Sequence, residues 1–118
     1  MAKPTVLHNP SCGTSRTVLE SLSGAGVEVD VVQYLRAPLD EAALRTLLGQ
    51  LVDPPADLVR KDKRFGELAL DADDYTTVDA VVALLVEHPE LMQRPVVRSG
   101  RRAVIARPAA RALEFLGS

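Results

Sequence analysis

The chain has 118 residues, of which 47% are hydrophobic and 25% charged, so its length and composition are those of one globular domain with a modest core. Its net charge of −2 excludes the basic footprint of a nucleic-acid or membrane-surface protein, and its single cysteine excludes an internal disulfide. With no signal peptide and no apolar run long enough for a membrane span, we expect a reduced, cytoplasmic location.

A strand, a loop and a helix open the chain. Residues 5–7 form a short apolar run, and residues 14–24 carry apolar side chains at helical spacing. Gly24 and Gly26 end this helix. Residues 27–34 alternate and are rich in β-branched side chains, which predicts a second strand. Because a helix joins the two strands, they are expected to be parallel.

Residues 40–88 are predicted to be almost all helical and to be inserted between strands. Asp40 caps the first of these helices, whose apolar residues recur at helical spacing as far as Leu51. Short helical pieces follow over 56–59 and about 65–70, around a charged stretch. The insertion is therefore a small helical lobe added to the sheet.

A second amphipathic helix ends the insertion. Thr76 or Thr77 caps it, and His88-Pro89 stops it. Its inward face is predicted to carry Val78, Val81, Val82 and Leu85.

A β-hairpin and a helix complete the chain. Residues 94–98 begin a third strand, Ser99-Gly100 forms the turn, and residues 103–106 return as a fourth strand. Pro108 begins the last helix. Its inward face is predicted to carry Ala109, Ala112, Leu113 and Leu116.

The order β-α-β, helical insertion, β-β-α predicts a single α/β domain over residues 1–118. Its plan is a thioredoxin-like mixed four-stranded sheet with a helical insertion between strands two and three.

Cys12 is the residue on which we base the functional interpretation. It lies where the first loop becomes the helix, so the free N–H groups of the first turn and the helix dipole favour its thiolate. A lone cysteine is more often a small buried hydrophobe. Here, however, the neighbours from Ser11 to Ser15 offer donors and open backbone, and His8 can act as a cation or proton acceptor. We therefore interpret Cys12 as a nucleophile.

The spacing around Cys12 disfavours two other cysteine-dependent sites. A dithiol oxidoreductase needs Cys-x-x-Cys, whereas the chain has Cys12-Gly13-Thr14-Ser15. A phosphatase loop of the Cys-x5-Arg type needs an arginine where Val18 stands. There is no Gly-rich dinucleotide loop and no cysteine cluster near either histidine. We therefore expect neither a metal nor a bound cofactor.

Four separated segments of the chain resemble the glutaredoxin-linked arsenate reductases, in that family's order and spacing. They are His8-Asn9-Pro10-Ser11-Cys12-Gly13-Thr14-Ser15-Arg16, Leu58-Val59-Arg60-Lys61, His88-Pro89-Glu90-Leu91-Met92-Gln93-Arg94-Pro95-Val96-Val97 and Ala106-Arg107-Pro108. The resemblance covers nearly the whole chain, although the chain ends soon after its last predicted helix, earlier than longer members of the family. Since the four resembling segments all lie before that point, we expect the family's reaction to be retained.

The resemblance implies a site and a reaction. In the family the cysteine attacks arsenate, three arginines hold the oxyanion, and a histidine and a serine support the thiolate. The matching residues are Cys12, Arg60, Arg94, Arg107, His8 and Ser15. The family's proline after the second arginine is cis, which predicts a cis Arg94-Pro95 bond. Glutathione or an equivalent small thiol supplies electrons in the family, and a glutaredoxin recycles the mixed disulfide.

The residues themselves also suit an oxyanion. Each charge-assisted arginine contact is worth roughly 1.5–3 kcal/mol, against under about 1 kcal/mol for a surface ion pair. Arg94 and Arg107 each precede a proline at an element boundary, whereas Arg60 lies in a charged run that is also typical of a solvated face. The remaining arginines that we considered are interpreted as structural or solvated: Arg16, Arg98, Arg101 and Arg102.

One alternative function stays open. Small relatives of the resembled family bind partner proteins, among them redox-responsive transcription regulators, without turning over arsenate. In those relatives the arginine set is incomplete or the cysteine is paired differently. The presence of Cys12 with Arg60, Arg94 and Arg107 favours the enzyme.

Overall fold

The computed structural model describes residues 3–117. The strands are β1 (Thr5–His8), β2 (Asp30–Gln33), β3 (Val96–Ser99) and β4 (Arg102–Ile105). The α-helices are α1 (Gly13–Gly24), α2 (Glu41–Gln50), α3 (Lys63–Glu67), α4 (Val78–Glu87) and α5 (Ala110–Gly117). Short 3₁₀ turns lie at Pro55–Leu58, Ala72–Asp74 and Pro89–Leu91.

The strands form one four-stranded sheet in the order β2-β1-β3-β4. β1 pairs in parallel with β2 and antiparallel with β3, and β3 pairs antiparallel with β4. This confirms the predicted mixed α/β sheet with helices inserted between its second and third strands. Within residues 3–117, no helix is both long enough and apolar enough to cross a bilayer.

Each face of the sheet is covered by a different set of helices. Successive side chains of a strand point to opposite faces, so Leu7 and Val6 enter separate cores. The core around Leu7 includes the apolar residues of α2, α3 and α4. The core around Val6 includes Val18 and Leu22 of α1 and Ala112 of α5. The insertion therefore closes one face, while α1 and α5 close the other.

Predicted caps hold the two longer helices of the insertion. The carboxylate of Asp40 accepts a hydrogen bond from the Ala43 N–H at 2.8 Å. The hydroxyl of Thr77, rather than that of Thr76, accepts one from the Ala80 N–H at 3.2 Å. Each cap stabilises its helix by about 1 kcal/mol because it satisfies a donor that the helix leaves free.

The second strand and the hairpin turn differ from their predictions. The second strand is shorter than residues 27–34, because Val27 and Val29 pack against the α1 side before the chain joins the sheet edge. The hairpin turn falls at Gly100-Arg101 instead of Ser99-Gly100, since Ser99 still pairs with Arg102. Gly100 has φ 61°, a conformation that glycine adopts without steric cost.

The last helix also differs from its prediction. Helix α5 starts at Ala110, two residues after Pro108, whose carbonyl accepts a hydrogen bond from the Arg111 N–H at 3.0 Å. Leu113 is 40% exposed, so it does not belong to the inward face as predicted. Ala112 is buried and Leu116 packs beside it.

A half-buried ion pair attaches α5 to the end of β4, and it gives a stability prediction. Asp53 lies 3.0 Å from Arg111, and its second oxygen accepts the Ile105 N–H at 2.9 Å. Asp53→Asn should lower the free energy of unfolding by about 1–3 kcal/mol, because both bonds are made by the Asp53 carboxylate, which is largely shielded from water. The matched control is Asp79→Asn, since Asp79 pairs with Arg45 but its side chain is 84% exposed. The control should lose less than about 1 kcal/mol in denaturant titration. Equal losses would contradict this account.

Candidate active site

The loop between β1 and α1 places Cys12 at the first turn of the helix. Cys12 occupies the N-cap position, with φ −95° and ψ 122°, and its thiol is half-buried. Its N–H donates to the Asn9 carbonyl at 3.0 Å, and its own carbonyl accepts the Arg16 N–H at 3.0 Å. The Asn9 side chain accepts the Ser11 N–H at 2.9 Å. These bonds fix the loop so that the sulfur lies at the positive end of the α1 dipole.

Arg16 stabilises the same loop from its outer side. Its guanidinium donates to the Pro10 carbonyl at 2.8 Å. This contact agrees with the structural role predicted for it.

Two arginines from the hairpin side approach the sulfur. Arg107 Nη1 lies 3.8 Å from Cys12 Sγ and also donates to the Arg94 carbonyl at 3.0 Å. The Arg94 guanidinium lies near the same sulfur, where its positive charge lowers the pKa of the thiol. The short segments on either side of the hairpin therefore bring two cations to the Cys12 loop.

These neighbours favour the thiolate form of Cys12. Burial acts to raise the pKa of the thiol, but the Ser15 backbone N–H and the guanidiniums of Arg94 and Arg107 together outweigh it. The pKa of Cys12 is therefore below its ordinary value.

His8 and Ser15 form a buried pair beneath the loop. His8 Nδ1 lies 2.5 Å from Ser15 Oγ, and the same hydroxyl accepts the Asn9 N–H at 3.2 Å. Burial, followed by the charge of Arg16, lowers the pKa of His8, so the imidazole is neutral at neutral pH. His8 thus contacts Ser15, the residue whose backbone N–H lowers the pKa of the Cys12 thiol.

Arg60 lies on a segment that runs beside the approach to β3. Its N–H donates to the Leu91 carbonyl at 2.6 Å, which aligns the segment with the residues before Arg94. Its guanidinium pairs with Asp62 at 2.7 Å, and within residues 3–117 it makes no hydrogen bond to Cys12. Burial opposes the effect, but Arg60 and the Phe65 N–H hold the pKa of Asp62 below its usual range.

Sequence reasoning missed two buried polar residues at the site. Asn9 is 6% exposed and Tyr34 is 1% exposed. The Tyr34 phenol lies close enough to Arg94 and Cys12 for their charges to act on its pKa. The Asn9 side chain acts on the same phenol. The sequence analysis placed Tyr34 at the end of a strand, and only the position of Asn9 inside the cysteine loop indicated that Asn9 belongs to the site.

The predicted cis Arg94-Pro95 bond is confirmed, and Arg107-Pro108 is also cis.

Arg107 lines two open cavities. One of about 390 Å³ is lined by Asp57, Lys61, Gln93 and Arg107, among others. The other, of about 650 Å³, is lined by residues of the α1 start and by Arg107 and Pro108. Because Arg107 borders both cavities and contacts the sulfur, the thiol site adjoins space that solutes can enter. Within residues 3–117, no group of three or more His, Cys, Asp or Glu side chains is placed to hold a metal.

The sheet order and the position of Cys12 at the start of α1 define a thioredoxin-like protein that has one thiol at this helix terminus. The sequence matches the model of the ArsC family over residues 7–115. Since that match covers most of the chain, the chain belongs to the ArsC family.

Individual relatives agree with the family assignment. The chain is 40% identical over 114 residues to the uncharacterized protein YfgD of Escherichia coli K12, covering 95% of each chain. It is 34% identical over 117 residues to the arsenate reductase of the same strain, covering 98% of this chain and 82% of that protein. The solved arsenate reductase from Vibrio cholerae has a TM-score of 0.83 at 32% identity, covering 95% of this chain and 96% of that one.

Proposed function

We propose that the protein is an arsenate reductase in which Cys12 is the nucleophile and an external thiol is the reductant. The observation that carries the proposal is the contact between Arg107 Nη1 and Cys12 Sγ, with Arg94 on the same sulfur. A thiolate beside two guanidiniums suits an electrophile that carries negative charge. Relatives named arsenate reductase support arsenate as that electrophile.

The proposed oxyanion site consists of Arg60, Arg94 and Arg107. Arg94 and Arg107 already face the sulfur, and each charge-assisted bond to an arsenate oxygen is worth roughly 1.5–3 kcal/mol. Arg60 is paired with Asp62, so it reaches the oxyanion only by sharing its guanidinium with that carboxylate. We therefore expect Arg60 to contribute less than the other two.

The proposed reaction begins with nucleophilic attack. The Cys12 thiolate forms an S–As bond with the arsenic(V) centre, and one oxygen leaves as water after protonation. A thiol of the reductant then attacks the adduct, and arsenic takes up the electron pair of the S–As bond. Overall, arsenic acid and two thiols give arsenous acid, one disulfide and one water.

His8 and Ser15 are proposed to support the nucleophile by holding its loop. The His8–Ser15 pair fixes the start of α1, where the Ser15 N–H faces the sulfur. Neutral His8 adds no charge beside an incoming anion.

The second thiol has to come from outside the chain, because Cys12 is its only cysteine. We propose glutathione or an equivalent small thiol as co-substrate and a glutaredoxin, or a similar thiol-disulfide partner, for recycling. The cavities beside Arg107 support this because they give the adduct an open side. The proposed chemistry requires neither a metal nor a bound cofactor, and a reducing cytoplasm is the compartment that suits it.

The Arg60–Asp62 pair favours a second candidate function. If Asp62 keeps Arg60 out of the oxyanion site, the arginine set is incomplete. The protein would then be a redox-responsive regulator that binds a partner protein through the state of Cys12 without turning over arsenate.

Purified protein incubated with arsenate, glutathione and a glutaredoxin tests the two functions against each other. Arsenate reduction predicts arsenite formation with two thiols oxidised for each arsenite. Absence of arsenite, together with formation of a Cys12 mixed disulfide when oxidised glutathione is added as the oxidant, would instead support the regulator.

A further inference from the structure

Tyr34 is a buried aromatic residue whose ring and hydroxyl have separate surroundings. It follows β2 directly, and among the described residues it is the largest side chain that is almost fully buried. Its ring belongs to the apolar core on the insertion side of the sheet. A phenylalanine would fill the same space, so core packing does not require the hydroxyl.

The hydroxyl lies among polar groups of the thiol site. It donates to the Met92 carbonyl at 3.5 Å, two residues before Arg94. The Asn9 amide and the Arg94 guanidinium lie close enough to the phenol to act on its pKa, which both of them lower against the larger effect of burial. A buried hydroxyl without such partners would be costly.

The Asn9 contact connects Tyr34 to the cysteine loop. The carbonyl of Asn9 accepts the Cys12 N–H at 3.0 Å, and its side-chain oxygen accepts the Ser11 N–H at 2.9 Å. A shift of Asn9 therefore moves the backbone on both sides of the nucleophile.

The Arg94 contact connects Tyr34 to the proposed oxyanion site. Apart from its interaction with Cys12, the Arg94 guanidinium donates to the Glu90 carbonyl at 3.4 Å, and its Nε is buried with no hydrogen-bond partner among residues 3–117. The Arg94 carbonyl in turn accepts a hydrogen bond from Arg107, which contacts the sulfur. Displacement of Arg94 would thus also disturb Arg107.

We propose that Tyr34 is a positioning residue whose hydroxyl holds the Arg94 guanidinium and the Cys12 loop in register, so that both arginines face the sulfur. The role of Tyr34 in arsenate turnover rests on the proposed function. The effect of Tyr34 on the Cys12 thiolate is independent of that function, because Cys12 can be titrated without arsenate. Burial raises the pKa of Tyr34, which keeps the phenol neutral and able to donate to Met92.

Tyr34→Phe tests the proposal, with Tyr75→Phe as the matched control. Tyr75 is the only other tyrosine, and its ring contacts Phe65 edge-to-face at 6.1 Å in the insertion. The readout is the rate of Cys12 alkylation by iodoacetamide as a function of pH, together with KM and kcat for arsenate. Tyr34→Phe should move the Cys12 titration to higher pH and slow alkylation below its midpoint roughly two- to tenfold, the effect of one hydrogen bond. KM for arsenate should rise by a similar factor, and Tyr75→Phe should change neither.

A double variant separates positioning from general destabilisation. Because Tyr34 acts on the sulfur partly through Arg94, Tyr34→Phe should shift the Cys12 titration less in an Arg94→Ala background than in the wild-type protein. Thermal unfolding should be nearly the same for both tyrosine variants. An unchanged titration in Tyr34→Phe, or equal effects with and without Arg94, would overturn the proposal. A wild-type protein that titrates like a free thiol or forms no arsenite would instead count against the proposed function.

Discussion

Cys12→Ser is expected to abolish arsenite formation, lowering the rate by roughly 10³-fold or more. A serine hydroxyl stays protonated beside the same arginines, and its oxygen cannot form the disulfide that arsenate reduction requires. The measurement is arsenite produced in the presence of arsenate, glutathione and glutaredoxin. Ser23→Ala, at an exposed position near the end of α1, is the matched control and should retain full activity.

The variant should also keep the fold. Cys12 is half-buried and makes its loop contacts through backbone groups, so serine preserves them. Substantial arsenite formation by a folded Cys12→Ser protein would rule out the covalent mechanism.

Arg107→Ala is expected to lower kcat/KM for arsenate by roughly 10²–10³-fold, the usual cost of removing one preorganised oxyanion donor. Two effects combine, because Arg107 both stabilises the thiolate and fixes the Arg94 carbonyl. The Cys12 pKa should rise in the variant, since one of the groups that lowers it is gone. Steady-state kinetics and alkylation across pH measure the two effects separately.

Arg101→Ala supplies the matched control for Arg107→Ala. Arg101 lies exposed in the hairpin turn, so its substitution by alanine removes one positive charge from the same part of the chain without touching the sulfur. It should leave both kcat/KM and the Cys12 titration unchanged. Equal losses in the two variants would show that net charge, and not the contact with the sulfur, is responsible.

Local patterns in the sequence predicted the architecture well. Alternation in the strands, helical spacing in α1, α2 and α4, and capping residues such as Asp40 and Thr77 act over short stretches of chain. The errors fell where tertiary contacts decide the boundary. Val27 and Val29 have a strand's composition, but they pack against the α1 side instead of pairing. Leu113 has the spacing of an inward residue, but α5 leaves it exposed.

The site was predictable only in part because its contacts join distant segments. The loop around Cys12 is local, so its position at a helix start could be predicted from the order of residues. The approach of Arg107 to Cys12 spans 95 residues, and only the family resemblance suggested it. The pairing of Arg60 with Asp62 is local but depends on side-chain orientation, which residue spacing does not determine. Tyr34 was missed because nothing in its flanking sequence distinguishes a buried hydroxyl beside Arg94 from an ordinary strand residue.

Titration of the wild-type Cys12 thiol, with and without arsenate, tests the central claim most directly. The chain has one cysteine, so every alkylation event reports on this residue. We expect Cys12 to titrate below the ordinary range of a cysteine thiol, since Ser15, Arg94 and Arg107 lower its pKa, and we expect arsenate to protect it from alkylation. A thiol that titrates at or above the ordinary range and reacts equally fast with arsenate present would contradict the account.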